Sequence, residues 1–235
     1  MLTLGIDSSA SAASAAVVEE GRLLGEFFVN TKQTHSQTLL PMVHSLLQTV
    51  GRSCEEIDLL AVSHGPGSFT GVRIGVACVK GISFTHNTPC VGISTLEAIA
   101  YGGILKEGSV LCAAMDARCG QVYNALFQVE DGKLVRLTKD RALSIADLEQ
   151  ECRHWGENLI LLGDGASLCH KTFISWGARL APESIRFQRA SSVALLGEQE
   201  AKKGNTITAS ALAPVYLRLP QAERELKKRL EQQKV

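Results

Sequence analysis

The first half of the chain contains the stretch Leu59-Leu60-Ala61-Val62-Ser63-His64-Gly65-Pro66-Gly67-Ser68-Phe69-Thr70-Gly71-Val72-Arg73. Its first five residues form an apolar run of strand length, and a glycine-rich loop follows them. A helix is predicted after the loop, ending at about Phe84. Such a loop resembles those that hold phosphate at a helix N-terminus, but its glycine spacing fits neither the dinucleotide fingerprint nor the P-loop. A tight strand-to-helix turn that needs glycine for close packing explains the same residues equally well.

The segments on either side of this stretch complete an α/β pattern. Short apolar runs separated by turn residues predict an antiparallel meander of three strands, at Leu2–Asp7, Ala12–Glu19 and Arg22–Val29. Apolar residues at helical spacing predict a helix between His35 and Val50, although Pro41 leaves the start of that helix open. A strand at Cys90–Ile93 and a helix from Thr95 follow the glycine-rich loop and its helix.

The second half of the chain repeats this plan. Glu130-Asp131-Gly132-Lys133-Leu134-Val135 matches Glu19-Glu20-Gly21-Arg22-Leu23-Leu24 in character, and Asn158–Gly163 parallels Asp58–Ser63. Strands are predicted at 109–116 and 121–129, as in the first meander. The sequence therefore predicts two related α/β lobes, residues 1–105 and 106–218, with a charged tail at 219–235.

Composition limits the function classes. Lys plus Arg and Asp plus Glu are 24 each, so the chain lacks the basic excess that an independent nucleic-acid binder uses against phosphates. The apolar share of 45% excludes intrinsic disorder, and no run reaches the ~18 apolar residues of a membrane span. The first residues have no basic region before an apolar run, so a cytoplasmic location is expected.

The cysteines and histidines do not form a metal motif. The seven cysteines are scattered without a C-x-x-C pair, and no two histidines are four residues apart. We predict that the cysteines are small buried hydrophobic residues rather than metal ligands or disulfide partners.

Two strand ends carry candidate phosphate-binding groups. Asp7-Ser8-Ser9 follows the first strand and offers a carboxylate, two hydroxyls and backbone N–H groups, the groups that hold phosphate and its magnesium ion. A strand-end turn in which these side chains bond their own backbone explains the same residues. Arg118 stands at the matching place of the second lobe. It would bind a second phosphate, or it would neutralise Asp7 without any ligand.

Several motifs taken together carry a family resemblance. They are Asp7-Ser8-Ser9, His35-Ser36 with Leu39-Leu40-Pro41, the glycine-rich stretch 65–73, Asp116-Ala117-Arg118 with Gly120, Val122 and Tyr123, and Pro214-Val215-Tyr216-Leu217-Arg218. Over residues 1 to about 218 the chain resembles the bacterial TsaB (YeaZ) family. The resemblance implies a duplicated actin-like, Hsp70-like ATPase fold of the ribonuclease H type.

The same resemblance implies a function and partners. It implies a part in the machinery that places threonylcarbamoyl on N6 of the adenosine beside the tRNA anticodon. The implied partners are TsaD, the catalytic subunit, and TsaE, an ATPase, with tRNA bound only through the complex and a homodimer formed in isolation. No cofactor is assigned firmly, and ATP or ADP enters only as a candidate ligand within the complex.

One departure from the catalytic relative suggests that this chain has no catalytic residues. In TsaD a histidine-x-x-x-histidine metal motif surrounds a glutamate, whereas the corresponding positions here are Thr95 and Ile99, around Glu97. Threonine is a poor metal ligand and isoleucine is none, so no metal site is expected, and the older description of the family as glycoproteases is disfavoured. The alternative function is an ATP-dependent small-molecule kinase with Asp7 on the magnesium side.

The helix after the glycine-rich loop has apolar residues on more than one face. We expect one of these faces to contact TsaD, or a second copy of the chain when TsaD is absent, at Gly71, Gly75, Cys78 and Ile82, with Leu39 and Val43 of the preceding helix. The alternative is that the glycines accommodate a neighbouring element of the same chain.

Overall fold

Two mixed β-sheets form the framework of the computed structural model, which describes residues 1–31, 33–103 and 106–218. The strands of the first sheet are β1 (Leu2–Asp7), β2 (Ala13–Glu19), β3 (Arg22–Val29), β4 (Leu59–Gly65) and β5 (Cys90–Ser94). Their order is β3-β2-β1-β4-β5, with antiparallel pairing from β3 to β1 and parallel pairing from β1 to β5. The predicted three-strand meander is confirmed.

The second sheet repeats this order. Its strands are β6 (Val110–Asp116), β7 (Gln121–Glu130), β8 (Lys133–Arg136), β9 (Arg141–Ser144), β10 (Leu159–Leu162) and β11 (Arg179–Leu180). They are arranged β8-β7-β6-β10-β11, antiparallel from β8 to β6 and parallel from β6 to β11, and β9 pairs with β7 as well. The duplicated α/β fold predicted from the sequence is therefore present.

Helices cover both faces of the first sheet and the outer face of the second. They are α1 (His35–Val50), α2 (Phe69–Ser83), α3 (Thr95–Tyr101), α4 (Ile145–Cys152), α5 (Ala166–Phe173), α6 (Glu183–Arg186) and α7 (Ala190–Lys202). The bounds of α1 match the predicted range, and Pro41 lies inside it. The helix continues across the proline because its buried face, which includes Leu39, Val43 and Leu46, packs on the first sheet.

Helix α3 lies between the two sheets, whereas α1, α2, α4 and α5 each cover one sheet. Helices α1 and α2 pack on one face of the first sheet, around Leu4, Ile6 and Val62. Helix α3 contacts strands of both sheets, and its Ile99 packs in a core with Phe127 of β7. Helices α4 and α5 cover the outer face of the second sheet.

Helix α7 corrects the sequence-based division of the chain. It belongs to the range assigned to the second lobe, yet it packs on β1, β2 and β4 of the first sheet. Glycine makes this contact possible: a Cβ at Gly5 would lie 2.8 Å from the Cβ of Ala194, and one at Gly197 would lie 2.6 Å from the Cβ of Ala61. The backbone N–H of Ala190 also donates to Ser14 of β2 at 2.9 Å.

Two sequence-based predictions fall on parts of the chain that the structure does not describe. The lobe boundary at residue 105 is one of them, and the charged tail at 219–235 is the other. Within the described ranges, no helix combines the length and the apolar character that a membrane crossing requires.

Candidate functional site

A cleft of about 430 Å³ lies where the two lobes meet. Its walls come from the loops that follow β1, β4, β6 and β10, the carboxyl ends at which α/β folds bind their ligands. The lining residues are Ser9, Ala10, Ser11, Pro66, Gly67, Ser68, Phe69, Thr70, Met115, Asp116, Ala117, Arg118, Tyr123, Asp164, Val215, Tyr216, Leu217 and Arg218. Of the four residues predicted to bind a cofactor, Ser9 and Arg118 line this cleft.

Asp7 lies beneath the cleft instead of lining it. Its side chain is fully buried, and one carboxylate oxygen accepts hydrogen bonds from the backbone N–H of Ser9 at 2.9 Å and its hydroxyl at 2.8 Å. The other oxygen accepts a hydrogen bond from the hydroxyl of Ser63 on β4. Burial raises the pKa of Asp7, and these hydrogen bonds oppose the rise. Asp7 therefore does not line the cleft, and three hydrogen bonds tie its carboxylate to its own chain. Its role in binding a cofactor stays a prediction.

Ser8 is also used within the chain. Its buried hydroxyl donates to the backbone carbonyl of Gly71 at 2.9 Å, and the carbonyl of Ser9 accepts a hydrogen bond from the N–H of Ser68 at 2.6 Å. A Cβ at Gly67 would collide with that Ser9 carbonyl. The glycine-rich loop thus packs directly on the turn after β1. The strand-end interpretation expected Ser8 to bond the backbone of its own turn, but its hydroxyl bonds the first turn of α2 instead.

Arg118 pairs with Asp116 of its own lobe. The Arg118 guanidinium lies 3.4 Å from an Asp116 carboxylate oxygen, and the Arg118 backbone N–H donates to Asp116 at 2.8 Å. Its side chain is 80% exposed, and its φ of +67° belongs to a tight turn after β6. The expectation that Arg118 neutralises Asp7 is wrong, because the nearer carboxylate satisfies the guanidinium.

Asp164 is an acidic group of the cleft that the sequence analysis did not single out. Burial raises its pKa to about 6, the nearby Asp116 carboxylate adds to the rise, and hydrogen bonds from backbone N–H groups oppose it. One of those bonds comes from the N–H of Asp116 at 3.3 Å. The only sequence signal for this residue was its position in the glycine-containing loop after β10.

The two residues that the resemblance matched to metal-ligand positions are buried in α3. Thr95 and Ile99 lie four residues apart on one face of α3, and both are buried. Glu97 lies on the opposite side of the helix, where it forms an ion pair at 2.7 Å with Arg136 of β8. The three side chains therefore do not converge on a common point.

The glycine face of α2 is buried by the chain itself, which corrects the predicted partner interface. A Cβ at Gly71 would collide with the carbonyl of Ser8, and one at Gly75 would lie 2.6 Å from the Ser8 hydroxyl and 3.3 Å from Val62. Both glycines allow α2 to approach β1 and β4 closely. The interpretation in which they accommodate a neighbouring element of the same chain is the correct one.

The remaining predicted interface residues are buried or half-buried. Leu39 and Val43 belong to the core of the first lobe, and Cys78 and Ile82 are half-buried against it. Other residues form the exposed side of helices α1 and α2. Among them are Leu40, which is 51% exposed, Phe84, which is 84% exposed, and Ala77 and Gly81. The helical spacing identified the faces correctly but not which face the sheet covers.

The free thiols only partly follow the sequence-based expectation. Cys90, Cys112, Cys152 and Cys169 are buried, as predicted, and Cys78 is half-buried. Cys54 and Cys119 are exposed, so the prediction is wrong for them. Burial raises the pKa of Cys169 to about 12, which keeps this thiol protonated at neutral pH.

Comparisons with known proteins agree with this architecture. A family model described as TsaD, tRNA N6-adenosine threonylcarbamoyltransferase, matches residues 23–226. The chain is 32% identical over 227 residues to the tRNA threonylcarbamoyladenosine biosynthesis protein TsaB of Bacillus subtilis, which covers 95% of this chain and 96% of that protein.

Solved structures show the same relationship. A Pseudomonas aeruginosa protein described as similar to peptidase YEAZ superimposes with a TM-score of 0.79 at 27% identity, over 92% of this chain and 99% of that one. The activator of 2-hydroxyisocaproyl-CoA dehydratase from Clostridium difficile shares the fold alone, with a TM-score of 0.53 at 12% identity, over 87% and 97% of the two chains. The fold is the actin-like ATPase fold expected from the sequence. The chain belongs to the TsaB (YeaZ) family, whose curated member from Bacillus subtilis is named a tRNA threonylcarbamoyladenosine biosynthesis protein.

Proposed function

We propose that the chain is a non-catalytic scaffold and activating subunit in the biosynthesis of threonylcarbamoyladenosine in tRNA. It would act with TsaD, the catalytic subunit, and TsaE, an ATPase, in the transfer of threonylcarbamoyl to N6 of the adenosine next to the anticodon. Membership of the TsaB family supports the pathway, because the similarity to the Bacillus subtilis protein covers nearly the whole of both chains.

One observation carries the non-catalytic part of the proposal. The resemblance places Thr95 and Ile99 at the positions of the TsaD metal ligands; both are buried, Ile99 in the core with Phe127, and neither lines the cleft. Histidine at these two positions would place two polar imidazole rings in an apolar core. The catalytic step therefore falls to the partner.

The exposed side of α1 and α2 is the surface that we propose for TsaD. Both helices cover the same face of the first sheet, so Leu40, Ala77, Gly81 and Phe84 lie on one outer surface, which we call the helix-pair surface. A TsaD family model matches residues 23–226, a range that includes both helices, and from this we infer an equivalent helix pair in TsaD. Two related surfaces of this kind can pair about a pseudo-twofold axis, and a second copy of the chain would replace TsaD in a homodimer.

The alternative kinase function has less support. A kinase would need a carboxylate beside the nucleotide phosphates to hold magnesium, and Asp7 is buried with its oxygens bonded to Ser9 and Ser63. Any ATP or ADP would therefore bind within the complex rather than through Asp7. The charge balance of 24 basic and 24 acidic residues supports tRNA binding through the complex alone, which would be cytoplasmic.

Reconstitution tests the proposal. Purified TsaD, TsaE, tRNA and the threonylcarbamoyl donor are incubated with and without this chain, and the modified nucleoside is measured by mass spectrometry. We expect modification only when the chain is present, and no modification by the chain alone. Modification at full rate without the chain would contradict the scaffold function.

A further inference from the structure

We propose that residues 214–218, which we call the strap, fasten the two lobes together across the mouth of the cleft. The strap is part of the wall of the cleft, and it touches both lobes. This role is independent of the function proposed above, because it concerns the separation of the lobes in the isolated chain.

The first anchor of the strap is on β4. The backbone N–H of Val215 donates to the carbonyl of His64 at 2.7 Å. Gly65, the next residue of β4, has a φ of +128°, and a Cβ there would collide with the carbonyl of Val215. Only glycine combines this backbone conformation with space for the strap. The end of β4 is thus shaped to receive it.

The second anchor is on the first turn of α2. The ring of Tyr216 packs against that of Phe69 with centroids 4.7 Å apart, and its hydroxyl accepts a hydrogen bond from Nε of Arg73 at 2.7 Å. The guanidinium of Arg73 also lies 3.8 Å from the centroid of the Phe69 ring. The negative face of an aromatic ring attracts a cation that is stacked on it. The middle of the strap is therefore held to the first lobe by packing as well as by hydrogen bonds.

The third anchor crosses to the second lobe. Nη1 of Arg218 donates to the carbonyl of Ala117 at 2.9 Å, in the turn that follows β6. A hydrogen bond from a charged group is stronger than one between neutral groups. Because Tyr216 is held by α2 and Arg218 by this turn, opening the cleft would break one of the two contacts.

A separate contact joins the lobes away from the cleft lining. Glu97 of α3 pairs with Arg136 of β8 at 2.7 Å, and the hydroxyl of Ser94 donates to Asp140 at 2.6 Å. None of these four residues is among those that line the cleft. The strap therefore joins the lobes at a place separate from this contact and from helix α3, which packs between the two sheets.

Distance measurements between the lobes test the strap. Nitroxide labels are placed on Cys54, exposed in the first lobe, and at an exposed position of α5 by Lys171→Cys, in a Cys78→Ala, Cys119→Ser background. Pulsed electron resonance then gives the distance distribution for the parent, for Arg218→Ala and for Tyr216→Ala. Arg153→Ala, which removes an exposed arginine of the second lobe, is the matched control.

We expect a wider distribution with a longer mean distance in both strap variants and an unchanged one in the control. Unchanged distributions in both strap variants, or equal widening in all three, would overturn the proposal.

Hydrogen exchange at the Val215 amide adds a second measurement. It should stay protected in Arg218→Ala, because the anchors on β4 and α2 remain, and it should lose protection in Tyr216→Ala. Should Tyr216→Ala fail to fold, Arg218→Ala alone decides, because it removes one contact at the surface.

Discussion

Asp7 shows how a residue with a recognisable chemical role can serve the fold instead. The fold buries its carboxylate completely and satisfies it with the hydroxyls of Ser9 and Ser63 and one backbone N–H. A buried carboxylate with good hydrogen bonds holds neighbouring strands in register, here β1 and β4. Its charge nevertheless opposes folding, because burial raises the pKa of Asp7 above its ordinary value.

Two substitutions separate the charge of Asp7 from its hydrogen bonds. Asp7→Asn should leave the free energy of unfolding at neutral pH within ~1 kcal/mol of the parent value. The amide oxygen still accepts from Ser9, the NH2 group donates to the Ser63 hydroxyl, and a buried charge is removed. Asp7→Ala leaves buried donors without partners and should cost ~1–3 kcal/mol. Urea denaturation at pH 7 measures both. An equal loss in the two variants would show that the charge itself stabilises the fold.

Asp164 gives the protein a specific dependence of stability on pH. Its pKa is about 6 in the folded chain against 3.8 as the ordinary value, so the folded state binds this proton more tightly. The free energy of unfolding should therefore fall as pH rises from about 4 to about 6, by at most ~3 kcal/mol from this group, and then level off. Thermal denaturation across this range should show the decline in the parent and a weaker one in Asp164→Asn. An equal decline in the parent and in Asp164→Asn would show that another titratable group causes it.

At the scale of the element, α2 contrasts two glycines of the same helix. Gly75 lies against Ser8 and Val62, whereas a Cβ at Gly81 would have no atom within 4 Å. Helix spacing alone cannot distinguish them, because each lies on an apolar side of the helix. Substitutions at these two glycines therefore distinguish a residue that packs within the chain from one that faces a binding partner.

Gly75→Leu and Gly81→Leu should have opposite effects. Gly75→Leu overpacks the contact with β1 and β4 and should cost ~1–3 kcal/mol of stability. Gly81→Leu replaces an exposed helical glycine and should gain ~0.5–1 kcal/mol, because leucine is the better helix former. Thermal denaturation of both variants measures the difference.

Binding to TsaD completes this comparison. Gly81→Leu places a bulky side chain on the helix-pair surface and should weaken co-purification with TsaD although the variant is stable. Unchanged binding of a stable Gly81→Leu variant would move the proposed interface away from this surface. A Gly75→Leu variant with the parent's stability would contradict the packing that the structure shows.

At the scale of the whole molecule, the two lobes are joined by more than the chain connection. Helix α7 comes from the second half of the sequence but packs on the first sheet, and α3 lies between the sheets. Glu26 of β3 binds both Arg189 and Ser191 at the start of α7. Neither lobe buries its apolar faces completely without elements from the other.

The lobes should therefore unfold together. We expect one transition in scanning calorimetry, with the calorimetric and van't Hoff enthalpies in agreement. Two separated transitions would show that the lobes are independent in spite of α7. The single-lobe range 1–103 expressed alone should remain unfolded, because the face of its sheet that α7 covers would be exposed.

The amino-acid sequence by itself determined the order and type of the elements and the duplicated plan. It placed β1, β3 and α1 at the residues where the structure has them, because strand and helix periods depend on neighbours a few residues apart. The family followed from motifs that are also local.

Only the tertiary structure decided the use of particular side chains. Asp7 bonds Ser63 from 56 residues away, and Ser14 bonds Ala190 from 176 residues away, so no local pattern reports these contacts. The same holds for Gly71 and Gly75, whose neighbours are on β1, β4 and the turn after β1. Local spacing fixes which residues share a face, but the sheet that packs on a face is assembled from distant segments, and this assembly determines which groups remain exposed.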